Sequence, residues 1–510
     1  MSKQDNAVMP FSYHTFIFPF IWNNNGKVTQ AQFQKCMHPD WSLDTRADTP
    51  YDPSRYGQYA YFNQAAHNVI FTEEGDNKPI VRNFRFNIGK LCSDESWLGN
   101  EKGKGNKVCY VIQKDIYRWD NATKSNVYDH TFVANLCVNG IRLRLFSTGV
   151  GMIVFELENY AHNTEKEITL INEYGRRVFM PYVTPEGHCP LCADTITLKY
   201  PGGEIISTIS GAKPEKNSDI RFPELIMFLL RNGNYAATTQ PTSAKDQFFI
   251  EPIIDDRMFV ACVWNDDTIT AVAKQDVDGQ YRYLADALQM SPEHPDNLAR
   301  RLYELVFVDG TGLSCQNKQM LHQALSKHVY ARWIEYGTLT GVTEYSLVSV
   351  TNFAPNITAF LTEYVEMAML VLAQRASLLA FERQISDCAR GELRVNKIQR
   401  EYVQFQSKYL LREVTPQQQG IELYKMMLEK LFIDDMQDDV ENQINALFAL
   451  ERDISDRDDN WLLFILATLG VFEAVSFFTS EPGCHAVVFS LLAIGGLLLW
   501  FLRNHRNRLK

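Results

Sequence analysis

WLLFILATLGVFEAVSFFTS at 461–480 and HAVVFSLLAIGGLLLWFL at 485–502 are two apolar runs separated only by Glu481, Pro482, Gly483 and Cys484. Each approaches the roughly 20 residues that carry a helix across a hydrocarbon core of about 30 Å, and a soluble core helix is rarely apolar all the way round. Pro482 and Gly483 break the helix between them, so the pair reads as a membrane hairpin with a very short turn. Arg503, His505, Arg506, Arg508 and Lys510 follow the second run. Short basic flanks stay cytoplasmic, which by parity places both termini, and the whole segment before Trp461, on the cytoplasmic side of the cell inner membrane.

The rest of the chain is ample and acidic. Its 510 residues leave room for two or three domains. A net charge of -11 and a pI near 5.6 argue against a broad nucleic-acid surface, so no direct nucleic-acid binding is expected. Of ten cysteines only Cys189 and Cys192 have a metal-like spacing, which reads as reduced cytosolic thiols. FIFPFIW at 16–22 is too short for the apolar core of a signal peptide, so targeting is assigned to the C-terminal spans.

From residue 12 to about 350 the signals are mainly those of strands: TFIFPFIW, KPIVRNFRFN, KVCYVIQKDIYRW and HTFVANLCV. Asn139-Gly140 predicts a two-residue hairpin, and Thr148-Gly149-Val150-Gly151 a further turn into MIVFELE. Alternation of Ile141, Leu143 and Leu145 with Arg142 and Arg144 puts one face on a core and leaves a basic face exposed or paired. Helices are predicted at 222–234, 295–307 and about 317–335, the last carrying Met320, Leu321, Leu325, Val329 and Trp333 and stopped by Gly337. A strand is predicted at 343–351. Residues 1–354 therefore read as an α+β cytoplasmic sensor domain with helices over a sheet.

From Pro355 almost everything is helical, so 355–460 reads as a long-helix stalk and 461–510 as the transmembrane hairpin with its basic cytoplasmic tail. One helix is predicted from Ile357 to Leu411, with Glu366 and Arg375 marking its apolar middle as buried or oligomeric and not as a third span. Another is predicted from Pro416 to Ser480, roughly 95 Å long at 1.5 Å per residue. A helix of that length buries its apolar stripe only against neighbours, so an oligomer is expected.

Candidate functional groups follow from this layout. In a symmetric ring, Asp458, Ile465, Leu469, Phe472, Ser476 and Thr479 line an axis, with Thr468 and Glu473 on the same polar arc. Apolar rings gate by dewetting and acidic rings attract cations. Glu473 reads equally as an inward mid-membrane carboxylate and as one near the outer end that snorkels to water. Asp434, Asp435, Asp438 and Asp439 are hard oxygen donors of the kind that hold Mg²⁺ where copies meet, although acidic residues on a helix are more often a solvated face. Arg176 and Arg177 fit either a phosphate clamp or surface arginines; Arg142 and Arg144 are the other candidate ligand-binding cations. His188-Cys189-Pro190-Leu191-Cys192 is half a zinc site, the Gly-rich turns at 309–312 and 337–341 lack a phosphate-loop lysine, and no nucleophile, base and oxyanion set stands out, so no enzyme activity is expected.

An α+β cytoplasmic domain, two long helices, a first span continuous with the longer helix, a tiny outer loop and a basic tail together resemble the CorA family of divalent-cation channels over about 355–510. The family's Gly-Met-Asn signature is absent. The corresponding place reads Phe478-Thr479-Ser480-Glu481-Pro482-Gly483, so no selectivity residue carries over. NGIRLRLFSTGVGMIVFELEN, INEYGRR and WIEYGTLTGVTEYSLVSVT are similar to a divergent branch, the CorA-like membrane effectors of type III CRISPR antiviral defence. The resemblance implies a homopentamer in membrane lipid, activated by a nucleotide second messenger, an S-adenosylmethionine–AMP conjugate, and opening or disrupting the membrane. The alternative is a divalent metal cation (Mg²⁺) transporter, and a third class is an enzyme anchored to the membrane.

Overall fold

The computed structural model describes residues 9–22, 34, 37–44, 56–71, 80–88, 108–177, 191–200, 203–208, 224–230, 250–254, 257–275, 298–310, 314–390 and 393–478. In chain order the strands are β1 (Ser12–Ile21), β2 (Trp41–Leu43), β3 (Val81–Phe86), β4 (Cys109–Asp120), β5 (Ser125–Phe146), β6 (Val150–Asn159), β7 (Thr195–Tyr200), β8 (Gly203–Thr208), β9 (Glu251–Pro252), β10 (Phe259–Trp264), β11 (Val329–Tyr330), β12 (Leu339–Val342) and β13 (Ser346–Val350). The helices are α1 (Tyr56–Tyr61), α2 (Gln64–Ile70), α3 (Glu165–Gly175), α4 (Glu224–Leu230), α5 (Thr268–Gln275), α6 (Leu298–Val306), α7 (Lys318–His328), α8 (Ala354–Ala359), α9 (Val365–Ala389), α10 (Val395–Lys408), α11 (Gln418–Lys430) and α12 (Ile433–Phe478). The chain divides into two compact units, Met1–Gln384 with Glu401–Asp438, and Ile385–Arg400 with Asp439–Lys510.

The first unit is mixed α and β, built on one sheet in the order β11-β12-β13-β10-β1-β6-β5-β4-β7-β8, with β3 on β5, β2 on β3 and β9 on β1. Its pairings are antiparallel except β10 with β13. β1 is buried on both faces, as its near-continuous apolar run requires. Pro19 would normally exclude a strand from the middle of a sheet. Here β10 ends its pairing at Ile17 and β9 begins at Phe20, so the missing N–H falls in a gap between two partners.

One face of the sheet holds the core of Phe16, Phe18, Phe20, Leu143, Leu145, Ile153 and Phe155. On the other, Arg142 and Arg144 project from β5 and converge on Glu366 of α9. Arg142 Nη1 donates to Glu366 Oε1 at 2.8 Å, Arg144 Nη2 donates to Glu366 Oε2, and Arg142 Nη2 also pairs with Glu156 at 2.7 Å. The basic face read from the alternation is thus a paired one, and all three principal side chains are buried. Burial works against the charge on Arg142, yet Glu156 and Glu366 hold it above its ordinary value.

Asn139-Gly140 is not a hairpin. β5 runs unbroken through it, and the register against β6 shifts between Val138 and Gly140, a β-bulge. The bulge falls where β5 exchanges one neighbour for another, β4 pairing up to Cys137 and β3 from Arg142 onward. A Cβ on Gly140 would lie 2.5 Å from Glu156 Oε2, so a side chain there would have to displace the carboxylate that pairs with Arg142. The turn at Thr148-Gly149 is as read, with Gly149 at φ 89°.

Both long helices of the sequence reading are interrupted. α9 ends at Ala389 and α10 begins at Val395. The second is broken at Leu431–Phe432, where Phe432 adopts φ 58° without being glycine, and its carbonyl then accepts from Met436 to start α12. Ala354–Ala389 is apolar and long enough to cross a membrane, but 89% of its apolar window is buried, making it the core helix that Glu366 and Arg375 indicated. α12 is different. Over its 46 residues it passes from an acidic start to an apolar end on which Trp461, Leu463, Phe464, Leu466 and Val471 are each more than half exposed. The second apolar run, the turn before it and the basic tail lie outside the described residues.

Removing the Glu366 carboxylate takes a charge partner from two buried guanidiniums. Glu366→Ala should therefore lower the unfolding free energy by about 3–5 kcal/mol, read as a shifted midpoint in denaturant titration of the full chain.

Candidate functional site

At the β11 edge of the sheet, side chains from several short elements surround a small recess lined by Tyr330, Trp333, Thr338, Thr340, Ser349, Asn356 and Tyr364. Each is placed by local chain chemistry. α7 opens on Asn317, whose side chain accepts from Met320 N–H, and stops at His328, whose ring bonds Val342 O at 2.7 Å. The helix predicted to reach 335 is therefore cut short, and Tyr330 falls on β11 while Trp333 precedes a 3-10 turn at Ile334–Tyr336. Gly337, at φ 72°, closes that turn and directs the chain into β12.

β12 and β13 face each other hydroxyl to hydroxyl. Thr340 Oγ1 lies 3.1 Å from Ser349 Oγ, Thr338 Oγ1 2.7 Å from Thr351 Oγ1, and Asn356 Nδ2 donates to Thr338 Oγ1 at 2.6 Å. Tyr364 is the last residue of a π-helical turn, Phe360–Tyr364, in which the Val365 N–H reaches back to Phe360 O. Such turns are uncommon and recur at functional sites.

The electrostatics are uneven. Tyr330 OH donates to Glu422 Oε2 at 2.6 Å and Arg332 Nη1 bonds both Glu422 oxygens at 2.7 and 2.9 Å. Hydrogen bonds from Tyr330, Gln418 and Arg332 pull the Glu422 carboxyl down to about 2. Glu363, in the π turn, is pushed up to about 7 by burial, against the opposing effect of hydrogen bonds from Thr362 and its own backbone. Burial, and then the neighbouring Tyr364, Glu363 and Tyr330, raise the Tyr61 hydroxyl. Every lining residue is uncharged, and three are aromatic. Flat rings beside a hydroxyl and amide rim suit a planar ligand with hydrogen-bonding edges, such as a nucleobase, better than a bare phosphate.

The four candidate ligand-binding arginines lie elsewhere in the first unit, and their charges are engaged internally. Arg142 and Arg144 hold Glu366. Arg177 Nε and Nη2 both donate to Glu173 Oε1, at 2.9 and 2.6 Å, while Arg176 Nη2 donates to Glu173 Oε2 at 2.9 Å and to Val308 O at 3.1 Å. A carboxylate of the chain itself thus holds Arg177 through Nε and Nη2 and Arg176 through Nη2, and both arginines are buried, which corrects the reading of them as an open clamp or as surface residues. Burial lowers Arg176 to about 10 despite Glu173.

Asp434, Asp435, Asp438 and Asp439 are exposed on α12, with Asp434 3.3 Å from Arg412. Among the described residues no three His, Cys, Asp or Glu side chains converge as a metal site. Asp458, Ile465, Thr468, Leu469, Phe472, Glu473 and Ser476 all lie on α12. Thr468 is exposed and donates to Phe464 O at 2.7 Å, a bond that satisfies its hydroxyl within the helix. Thr479 and residues 188–190 lie outside the described residues, while Cys192, the last residue of the motif that begins at His188, is fully buried.

A Ser12–His14–Asn172 array escaped the sequence reading. Ser12 Oγ and His14 Nε2 are 2.8 Å apart and His14 Nδ1 and Asn172 Oδ1 2.7 Å, the spacing of a nucleophile, base and orienter. All three are fully buried, and burial lowers His14 to about 4, so the array ties β1 to α3 and meets no substrate. Comparison with known proteins returns no matching family model, no matching curated protein and no matching solved structure.

Glu363 carries a pH prediction. Its folded value lies above the ordinary carboxyl value of 4.5, so the stability it contributes is full below that value and is lost as pH rises through about 7. Melting temperature should therefore fall between pH 5 and pH 8 in the native chain, and Glu363→Gln should flatten that fall.

Proposed function

We propose that the chain is a CorA-like membrane effector gated by a nucleotide second messenger of the S-adenosylmethionine–AMP type, opening or disrupting the membrane in type III CRISPR antiviral defence. The observation that supports it most is α12, which continues without a break from Ile433 to Phe478 and ends in large apolar side chains turned outward. An exposed apolar surface of that kind requires lipid or further subunits around it. The sequence supplies the second span and the basic tail, and a ring of copies supplies the conduit.

The recess is the sensor in this reading, with the nucleoside ring against Trp333 and Tyr364 and the hydroxyl ladder reading its edge. It is small as it stands, so a ring enters as those aromatic side chains swing aside. Tyr364 closes the π turn that leads directly into α9, and ligand binding there biases the helix. A few kcal/mol of differential binding suffices to move such an equilibrium. The exposed carboxylates at 434–439 favour a second reading, a divalent cation transporter in which Mg²⁺ is cargo or inhibitor.

Flux through liposomes holding the full chain separates these. The effector reading expects ion release only with the conjugate present, whereas release without nucleotide supports the transporter and release under neither condition supports an anchored enzyme. Trp333→Ala should weaken conjugate binding by roughly 5- to 150-fold, since base–aromatic stacking contributes about 1–3 kcal/mol. Undiminished affinity in calorimetry would move the sensor away from the recess. Phe472→Ser should raise the flux of the unliganded chain if position 472 forms an apolar constriction; unchanged resting flux would remove it from the gate.

A further inference from the structure

Five residues stand side by side across the sheet, one from each of five strands: Tyr13 on β1, Glu158 on β6, Cys137 on β5, Cys109 on β4 and Lys199 on β7. Residues opposite one another in neighbouring strands project from the same face, so this is one continuous row. The two cysteines at its centre are both partly exposed. The register defines their geometry further. Val138 N–H donates to Val108 O at 2.8 Å, which makes the adjacent Val108/Val138 pair the hydrogen-bonded one. Cys109 and Cys137 are then a non-hydrogen-bonded pair, the class in which facing Cα atoms approach to about 4.5 Å. That separation falls inside the range a disulfide spans.

We infer that Cys109 and Cys137 form a peroxide-sensitive thiol pair, with Cys109 as the attacking and Cys137 as the resolving sulfur. The row explains the assignment. Cys109 accepts a hydrogen bond from Cys137 on one side and has Lys199 on the other, and these lower its thiol to about 7 against the opposing effect of burial. Cys137 faces Glu158, whose carboxylate accepts from the Tyr160 hydroxyl at 2.8 Å, so its cross-strand neighbour on that side is an acid where that of Cys109 is a lysine. Cys192 and Cys262 are fully buried, and burial raises Cys262 to about 12.

The chemistry closes with a hydroperoxide as oxidant. The Cys109 thiolate attacks the peroxide oxygen, the O–O bond breaks, and the departing alkoxide or hydroxide takes a proton to leave as alcohol or water, so Cys109 becomes a sulfenic acid. The Cys137 sulfur then attacks Cys109, the S–O bond breaks, and hydroxide leaves with the Cys137 proton as water. The thiols lose two electrons, the peroxide gains them, and a dithiol reductant reverses the bond. Once formed, the bridge pins β4 to β5 immediately before the bulge at Val138/Gly140.

The test uses the full chain in lipid discs, reduced, exposed to hydrogen peroxide and mapped by mass spectrometry without reduction. The Cys109 peptide should appear joined to the Cys137 peptide, separable by dithiothreitol, while Cys315, also partly exposed, stays a thiol and serves as the internal reference. Cys137→Ser should leave Cys109 as a sulfenic acid that dimedone traps. At about pH 7, Cys109 should alkylate faster than Cys315, and Lys199→Ala should shrink that advantage. Separate sulfinic acids in place of a linked pair, or a Cys109 no more reactive than Cys315, would overturn the inference on the unmutated protein.

Discussion

The first unit is held to its long core helix by three buried charges. Glu366 of α9 accepts from Arg142 and Arg144 of β5, and Glu156 takes the remaining reach of Arg142. Desolvating such groups costs several kcal/mol per ion, and their mutual attraction offsets that only in good geometry. What the arrangement supplies is specificity. Slipping β5 by one residue would turn Leu143 toward the carboxylate and drive both arginines into the apolar core on the opposite face. The sheet face and α9 are therefore complementary only in one register.

Parts of this were legible in the chain. Alternation of leucine and arginine over 141–145 indicated a two-faced strand, and Glu366 just before the apolar stretch 367–381, with Arg375 within it, argued against a membrane span. What the alternation could not supply was the partner, because the carboxylate lies 222 residues beyond Arg144. Asn139-Gly140 misled for a related reason. The dipeptide favours positive φ and tight turns, but the strand's exchange of neighbours decides its use, and that is a property of the assembled sheet.

The interruption at Phe432 carried a faint signal. Lys430 ends α11 and Asp434 with Asp435 opens α12, the charge order that helix dipoles favour at an end and at a beginning. With no proline or glycine between them, local propensity reads straight through. Burial decides otherwise, since Leu431 and Ile433 are both in the core while Phe432 is nearly half exposed, an arrangement that a continuous helix would have to rotate away. Arg176 and Arg177 show the same limit. Adjacent arginines look like an anion site until the preceding turn of the same helix is seen to supply Glu173, a partner three and four residues back that the spacing alone permitted.

The recess was the least legible feature, because its side chains come from β11, a 3-10 turn, β12, β13, α8 and the π turn. None of these forms a motif by itself. Its position in the chain nonetheless gives it leverage. Tyr364 lines the recess and Glu366 anchors the sheet, with only Val365 between them. A π turn holds one more residue per turn than an α-helix, so relaxing it to α geometry would rotate everything after it by about 100°. The Glu366 contacts with Arg142 and Arg144 resist that rotation, so the buried ion cluster holds α9 in its present phase while the extra residue of the π turn is kept beside the recess.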